Sequence, residues 1–162
     1  MVLKGVIHED FVNYKVPAMY LAFPMCTFKC DKLNGCQVCQ NESLADNARC
    51  YVISPDDIYK QFVENPIAEA IVCSGLEPFD SVEDILDLVD TFRTKYECMS
   101  DIVIYTGYTE KEVLSNERMR EVLNYKNIVV KYGRFLMNQP SHYDEILGVN
   151  LASPNQYAKR YN

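Results

Sequence analysis

No apolar run in this sequence approaches the roughly 18 residues that a membrane-spanning helix needs. The first residues, MVLKGVIHEDF, lack the basic and then apolar layout of a signal peptide. Cations are scarce as well: 16 Lys and Arg stand against 23 Asp and Glu, so the formal net charge is −7. Because nucleic acids and anionic membranes are bound by clustered cations, these absences predict a cytoplasmic protein that binds neither nucleic acid nor membrane.

Linkers and repeats are also missing. No stretch rich in Gly, Pro or Ser divides the chain, and no internal repeat or low-complexity tract is visible. The 162 residues are 48% hydrophobic and 24% charged, which is a globular composition. A chain of this length buries roughly two-thirds of the surface of its unfolded form. One globular domain over residues 1–162 is therefore predicted.

Cysteine, by contrast, is abundant. The sequence has seven, and four of them fall between Cys26 and Cys39. In a chain without an export signal, structural disulfides are not expected, and metal or redox chemistry becomes the leading explanation. Of the isolated cysteines, Cys73 and Cys98 are predicted to lie in the core as small hydrophobes, whereas the role of Cys50 stays open.

The clustered cysteines follow the pattern Cys26-x3-Cys30-x5-Cys36-x2-Cys39. This spacing is too compact for a two-knuckle zinc ribbon, whose cysteine pairs are separated by about a dozen residues. Thiolates this close together suit an iron–sulfur cluster, which can take three or four ligands from one loop. A zinc knuckle, free surface thiols and a redox pair of Cys36 and Cys39 remain the alternatives.

The rest of the chain alternates between predicted strands and predicted helices. Strands are predicted at 17–23, 69–73, 101–106 and 127–132. Helices are predicted to begin after Ser54, Ser81 and Thr109, each of which is followed three residues later by an acidic residue. This order predicts an α/β fold with a mostly parallel sheet. The tail after Phe135 is expected to pack across that sheet as loop.

Unusual segments follow all four predicted strands. The cysteine cluster follows the first, SGLEP (74–78) the second, YTGY (105–108) the third and GRF (133–135) the fourth. Because the carboxyl ends of parallel strands share one edge of a sheet, these segments predict one active-site rim. Each has an ordinary explanation when taken alone: SGLEP can be a strand-to-helix turn, Gly107 can supply a positive φ, and Arg134 can be solvated.

Two of these segments resemble known motifs. The run from Cys26 to Cys30 resembles the start of the cysteine motif of the radical S-adenosylmethionine superfamily, and SGLEP resembles the Gly-Gly-Glu-Pro motif of that superfamily. Further segments resemble, in the right order, those of one branch, the anaerobic ribonucleotide-reductase activating proteins. They are FVNY at 11–14, CQNES at 39–43, YTGY at 105–108, GRF at 133–135 and SPNQ at 153–156.

The sequence departs from the family pattern in three places. One is the segment Tyr14-Lys15-Val16-Pro17, which replaces the glycine-rich stretch usual after FVN. The usual third cysteine comes after two intervening residues, but here Cys36 comes after five and Cys39 after eight. Asn41 follows Cys39 as it does in the activating proteins, which favours Cys39 as the third ligand and leaves Cys36 as the alternative. Leu76 stands where the superfamily has its second glycine.

The resemblance implies a compact partial (β/α) barrel that holds a 4Fe–4S cluster and S-adenosylmethionine. Cys26, Cys30 and Cys39 would bind three irons, and the fourth iron would chelate the amino and carboxylate groups of S-adenosylmethionine. An electron from the cluster would then cleave this cofactor to methionine and a 5′-deoxyadenosyl radical. The cofactor-binding residues that the resemblance implies are Val38, Ser74, Gly75, Glu77 and Tyr105.

The resemblance also implies partners. They are a glycyl-radical enzyme, in the first place the anaerobic ribonucleotide reductase, and a flavodoxin- or ferredoxin-type electron donor. The protein would place a radical on a glycine of that enzyme. Two alternatives stay open: a radical S-adenosylmethionine enzyme that modifies a small molecule or peptide, and a non-enzymatic metal-binding module, for example one that binds zinc.

Overall fold

The computed structural model describes residues 1–46 and 49–162. The strands are β1 Val2–Leu3, β2 Gly5–Asp10, β3 Ala18–Phe23, β4 Tyr51–Val52, β5 Ala70–Gly75, β6 Ile102–Tyr105, β7 Ile128–Tyr132, β8 His142–Asp144, β9 Val149–Leu151 and β10 Tyr157–Tyr161. The α-helices are α1 Lys29–Asn34, α2 Glu42–Asp46, α3 Pro55–Glu64, α4 Val82–Asp90, α5 Glu110–Ser115 and α6 Glu117–Val122. None of the described helices has the length and apolar character that crossing a membrane requires.

Six of these strands form one sheet in the order β10-β7-β6-β5-β3-β2. The four central strands, β3, β5, β6 and β7, are parallel neighbours, and they coincide with the four predicted strands. Their register places Tyr20, Val72, Val103 and Val129 in one row across the sheet. The predicted α/β class with a mostly parallel sheet is therefore confirmed, whereas a partial (β/α) barrel stays a prediction.

The two edge strands are antiparallel to their neighbours. β2 pairs with β3, and β10 pairs with β7 from Tyr157 opposite Tyr132 to Tyr161 opposite Ile128. The expectation of loop throughout the tail after Phe135 is wrong, because this tail forms the β8–β9 hairpin and then β10. Ala158 is the one buried residue of β10, so the apolar pattern that indicates a strand is missing there.

The predicted helix starts are observed, with one difference in how they are capped. Ser54 accepts a hydrogen bond from the Asp57 amide at the start of α3, and Thr109 forms a complete capping box with Glu112 at the start of α5. Helix α4 begins after Ser81, but the Ser81 side chain makes no capping bond. A 3-10 turn at Pro78–Ser81 precedes α4 and leads the chain into it.

The two faces of the sheet are covered differently. Apolar side chains of α3, α4, α5 and α6 pack on one face, in a core that also contains Cys73 as predicted. Cys98 is half-buried against this core, and Cys50 is exposed. The second face is covered by small and apolar residues around Tyr14, Leu147 and Leu151, which lie outside the helices.

A polar cluster fastens the second face at the amino ends of the parallel strands. The Tyr14 hydroxyl donates to the Asp101 carboxylate at 2.7 Å, and the Arg160 guanidinium donates to both oxygens of that carboxylate at 2.6 and 2.7 Å. Gly148, with a φ of +74°, lies directly against Lys15, because a Cβ at Gly148 would come within 2.6 Å of the Lys15 Cβ. The segment before β3 is therefore fixed to both β10 and the β8–β9 hairpin.

Candidate metal centre

The four segments that follow the parallel strands meet around one cavity. It has a volume of about 180 Å³ and lies at the carboxyl ends of β3, β5, β6 and β7. Every cofactor or ligand residue of the leading prediction lines it. These residues are Cys26, Cys30, Val38, Cys39, Ser74, Gly75, Glu77 and Tyr105. The structure thus brings the predicted site residues together, while their individual roles stay predictions.

The cysteine segment is folded so that its thiols differ in position. The Phe28 amide donates to the Cys26 sulfur at 3.2 Å, and Phe28 adopts a φ of +50° as the chain turns into α1, which carries Cys30. Cys36 is exposed and does not line the cavity; its sulfur lies 3.6 Å from that of Met137. Cys39 therefore lines the cavity and Cys36 does not, while the choice of the third ligand stays a prediction.

The three predicted ligand cysteines, Cys26, Cys30 and Cys39, line the same cavity. Within residues 1–46 and 49–162, no group of three His, Cys, Asp or Glu side chains is placed to hold a single metal ion. A polynuclear cluster binds each thiolate through a different iron, so its ligands need not converge on one point. Burial raises the pKa of Cys26 to about 12 and also raises that of Cys39, so a bound metal must displace their protons.

Glu77 is buried beside these thiols and accepts three hydrogen bonds. Its Oε1 accepts from the Thr106 hydroxyl at 2.7 Å and from the Phe79 amide at 3.1 Å, and its Oε2 accepts from the Gly107 amide at 2.7 Å. Burial raises the pKa of Glu77 to about 7. A carboxylate has about four acceptor positions, so roughly one remains for a ligand in the cavity. Glu77 therefore joins the end of β5 to the end of β6.

Gly75 and Asn41 connect the cysteine segment to β5. Gly75 has a φ of +88°, and a Cβ at this position would lie 2.8 Å from backbone atoms of Ala22 and Phe23, so only glycine fits. The side-chain amide of Asn41 donates to the Gly75 carbonyl at 2.7 Å. Sequence reasoning used Asn41 as a marker of the ligand pattern and missed this contact, which depends on residues far apart in the chain.

Lys131 is a cavity residue that sequence reasoning missed altogether. It belongs to β7 and is only 8% exposed, and its ammonium donates to the Gly133 carbonyl at 3.0 Å. Burial lowers the pKa of Lys131 to about 8. The side-chain amide of Gln156 donates to the same carbonyl at 3.2 Å. A lysine inside the apolar run IVVKY was the available signal, since a charge in a strand buried on both faces needs an explanation.

A larger cavity of about 640 Å³ adjoins the first on the second face of the sheet. The two cavities share seven lining residues, which are Gln40, Asn41, Ser74, Tyr105, Lys131, Phe135 and Gln156. The Tyr105 hydroxyl donates to the Asn13 carbonyl at 2.5 Å and so fixes the FVNY segment beside this space. The site therefore has room for a ligand next to the position of the thiols.

Two further rim residues, Arg134 and Tyr108, pair with other side chains of this protein. Arg134 pairs with Glu112 at 2.6 Å and is not simply solvated, and the Tyr108 hydroxyl donates to Asp80 at 2.5 Å. Gly107 does not adopt the positive φ that YTGY alone suggested. A Cβ at this position would lie 3.6 Å from the Cys30 sulfur, which is an ordinary van der Waals contact, so the structure shows no steric need for glycine at 107.

Comparison with known proteins identifies the kind of domain. A family model described as a 4Fe-4S single cluster domain matches residues 18–153, from the start of β3 to the segment before β10. No curated protein matches the chain significantly. The matched range contains all the thiols of the cavity, together with Glu77 and Lys131.

Proposed function

This chain belongs to the 4Fe-4S single cluster domain family, and we propose that it is a radical S-adenosylmethionine protein. The observation that carries the proposal is the shared cavity. Three thiols, a buried carboxylate and a buried ammonium line one space at the carboxyl ends of the parallel strands. An electron-transfer protein with a fully ligated cluster has no need of such groups beside its thiols.

The residues fit a cluster with one iron free of protein ligands. Cys26, Cys30 and Cys39 supply three thiolates, and Cys36 is turned to the surface. When bound, this group supplies an electron that cleaves S-adenosylmethionine to methionine and a 5′-deoxyadenosyl radical. The chain contributes ligands, orientation and exclusion of water.

Opposite charges in the cavity suit the methionine part of the cofactor. The carboxylate of Glu77 can accept from its ammonium group through the acceptor position that the internal donors leave. The ammonium of Lys131 can pair with its carboxylate, which would compensate the cost of burying that lysine. Val38 then offers an apolar contact for adenine, and Ser74, Gly75 and Tyr105 complete the wall.

We further propose that the radical is delivered to a glycine of a partner, by resemblance the anaerobic ribonucleotide reductase. The resemblance of FVNY, YTGY and SPNQ to the activating proteins supports this, and in the structure Tyr105 contacts the FVNY segment beside the cavity. A carbon radical in a site that opens to solvent needs a covering surface, and a loop of the partner would provide both cover and a hydrogen atom.

The test uses anaerobic protein reconstituted with iron and sulfide. A brown protein that forms methionine and 5′-deoxyadenosine after reduction is expected, and a colourless zinc-loaded protein would exclude the proposal. Electron paramagnetic resonance on a mixture with an anaerobic ribonucleotide reductase should then show a doublet on a glycine of that enzyme. Turnover that is equal without a protein partner, with a modified small molecule as the product, would exclude the activating role.

The larger cavity supports a second candidate. Its volume of about 640 Å³ lies within the range of small-molecule sites, so a small molecule or peptide could be the substrate in place of a protein loop. Product analysis with and without the partner separates the two candidates.

A further inference from the structure

Helix α1 separates a predicted cluster ligand from solvent by a single layer. Cys30 lines the cavity on its inner side. Lys29, Lys32 and Leu33 have the i, i+3 and i+4 spacing that places side chains together on one helix face. Lys32 is exposed, and Leu33 is 58% exposed. A redox protein seated on this face would come as close to the cluster as the fold permits.

An exposed apolar side chain at the end of α1 extends this face. Met137 is 38% exposed. The Asn34 side chain donates to the Phe135 carbonyl at 2.9 Å and accepts from the Met137 amide at 3.0 Å, which fixes Met137 beside the end of α1. We call Lys29, Lys32, Leu33 and Met137 the α1 patch. Apolar centres with charged margins are typical of protein–protein contacts.

The α1 patch carries two cations, whereas the protein as a whole is acidic. The one carboxylate of α1, Asp31, lies outside the patch and accepts from the Val38 amide at 2.9 Å. The chain has a net charge of −7, and the exposed face of α4, for example, carries Asp87 and Asp90. The Lys29 ammonium lies 4.1 Å above the Tyr108 ring, and among the described residues no ion pair neutralises Lys29 or Lys32. An acidic partner is therefore repelled by most of the surface and attracted to this face.

We propose that the α1 patch is the docking surface for an acidic one-electron carrier protein, which reduces the cluster through α1. This rests on the proposed function, because only a cluster that turns over needs repeated reduction. The carrier loses one electron and the cluster gains it. The electron then passes to the sulfonium of S-adenosylmethionine, whose bond to the 5′ carbon breaks to give methionine and the 5′-deoxyadenosyl radical.

Separate surfaces for electron and substrate follow from the same geometry. The cavity of about 640 Å³ on the second face of the sheet shares no lining residue with the α1 patch. A carrier on the patch would therefore leave that cavity free. Reduction could then take place while a substrate is in position.

The test measures the binding of flavodoxin, as an acidic carrier, to the cluster-loaded protein. A double variant, Lys29→Glu with Lys32→Glu, should raise the dissociation constant for flavodoxin by about ten-fold at low ionic strength. It should also reduce the salt dependence of binding. Leu33→Ser should weaken binding without changing the charge. Lys126→Glu is the matched control, because Lys126 is exposed just before β7, at the opposite end of the strands.

Stopped-flow reduction of the cluster separates docking from the rest of the function. Flavodoxin should reduce the Lys29/Lys32 variant about ten-fold more slowly, while dithionite, a small chemical reductant, should reduce it at the unchanged rate. Unchanged flavodoxin affinity in both the lysine variant and Leu33→Ser would overturn the docking surface. Failure of the dithionite-reduced unsubstituted protein to form methionine would instead overturn the proposed function, and flavodoxin binding would still be measured independently of it.

Discussion

Asn41 donates a hydrogen bond of 2.7 Å to the carbonyl of Gly75, and this bond joins the cysteine segment to the end of β5. Asn41 lies two residues after the predicted third ligand, so the contact fixes the position of Cys39 relative to the wall of the cavity. It also satisfies a carbonyl at a glycine whose backbone already runs against β3. This hydrogen bond therefore fixes two segments of the cavity wall relative to each other.

Replacing Asn41 by Ala should therefore weaken the site without removing a ligand. Loss of one partly buried hydrogen bond is expected to lower the free energy of unfolding by about 1 kcal/mol. Affinity for S-adenosylmethionine should fall while iron content stays normal, and calorimetric titration with iron analysis measures both. Ser43→Ala, at an exposed position of the same segment, is the control. Unchanged affinity in Asn41→Ala would show that the bond has no part in the site.

Gly75→Ala should be far more damaging than an ordinary glycine substitution. The positive φ and the 2.8 Å approach to backbone atoms of Ala22 and Phe23 leave no space for a methyl group. The free energy of unfolding is expected to fall by about 3 kcal/mol. Gly5→Ala is the matched control, because a Cβ at Gly5 meets nothing within 4 Å. Equal urea midpoints for the two variants would contradict this account of Gly75.

The cysteine series identifies the ligands. Cys26→Ser, Cys30→Ser and Cys39→Ser should each abolish cluster assembly, while Cys36→Ser should retain it, because Cys36 is exposed outside the cavity. Iron per chain after anaerobic reconstitution is the measurement. Cys50→Ser, at another exposed thiol, controls for the chemical change. Loss of iron in Cys36→Ser with retention in Cys39→Ser would mean that the third ligand is Cys36.

Glu77→Ala should affect both binding and folding. Removing an acceptor for a charged donor is expected to weaken S-adenosylmethionine binding by about 1.5–3 kcal/mol. The variant also leaves the Thr106 hydroxyl and the Gly107 amide without their acceptor, so its thermal stability should fall. Thr106→Val removes one of these bonds but leaves the carboxylate. This variant should therefore lower the thermal stability and leave the affinity for S-adenosylmethionine unchanged. Normal cofactor affinity in Glu77→Ala would reduce SGLEP to a structural turn.

Acid should weaken the pair formed by Arg134 and Glu112. The hydrogen bond from Arg134 lowers the pKa of Glu112 from 4.5 to about 2. Because the folded state lowers this pKa, the contribution to stability is complete above pH 4.5 and disappears as the pH falls to about 2. Glu112→Gln should therefore reduce the loss of stability over this interval, as measured by urea unfolding at each pH. An acid profile in Glu112→Gln that matches the unsubstituted protein would contradict this role of the pair.

The parallel core could be predicted because its strands are buried on both faces. Val and Ile fill β5, β6 and β7, so local sequence alone indicates them. The edge strand β10 could not be predicted in this way, since its partner β7 and not its own composition determines it. The same holds for Asn41, whose role depends on a carbonyl 34 residues away in the chain.

The presence of Cys26 and Cys30 in one cavity could be predicted from residue type and spacing. The presence of a buried cation in the same cavity could not. Lys131 was overlooked because its position inside a cavity becomes visible only when β7 takes its place in the sheet. For Arg134 the sequence left three alternatives open, namely a carboxylate, a partner surface and solvent, and the fold pairs it with the carboxylate of Glu112.

The loop 133–135 is held by residues that come more than 20 positions later in the chain. Gly133, with a φ of +98°, passes so close to Asn155 that a Cβ would lie 2.6 Å from its carbonyl oxygen, and the side chains of Asn155 and Gln156 bind the carbonyls of Arg134 and Gly133. During synthesis on the ribosome, the thiols emerge long before this wall of their cavity exists. Iron and sulfide delivered before residues 155 and 156 have folded would meet an unfinished site, so we expect the cluster to assemble on the folded chain and not on its nascent amino-terminal part.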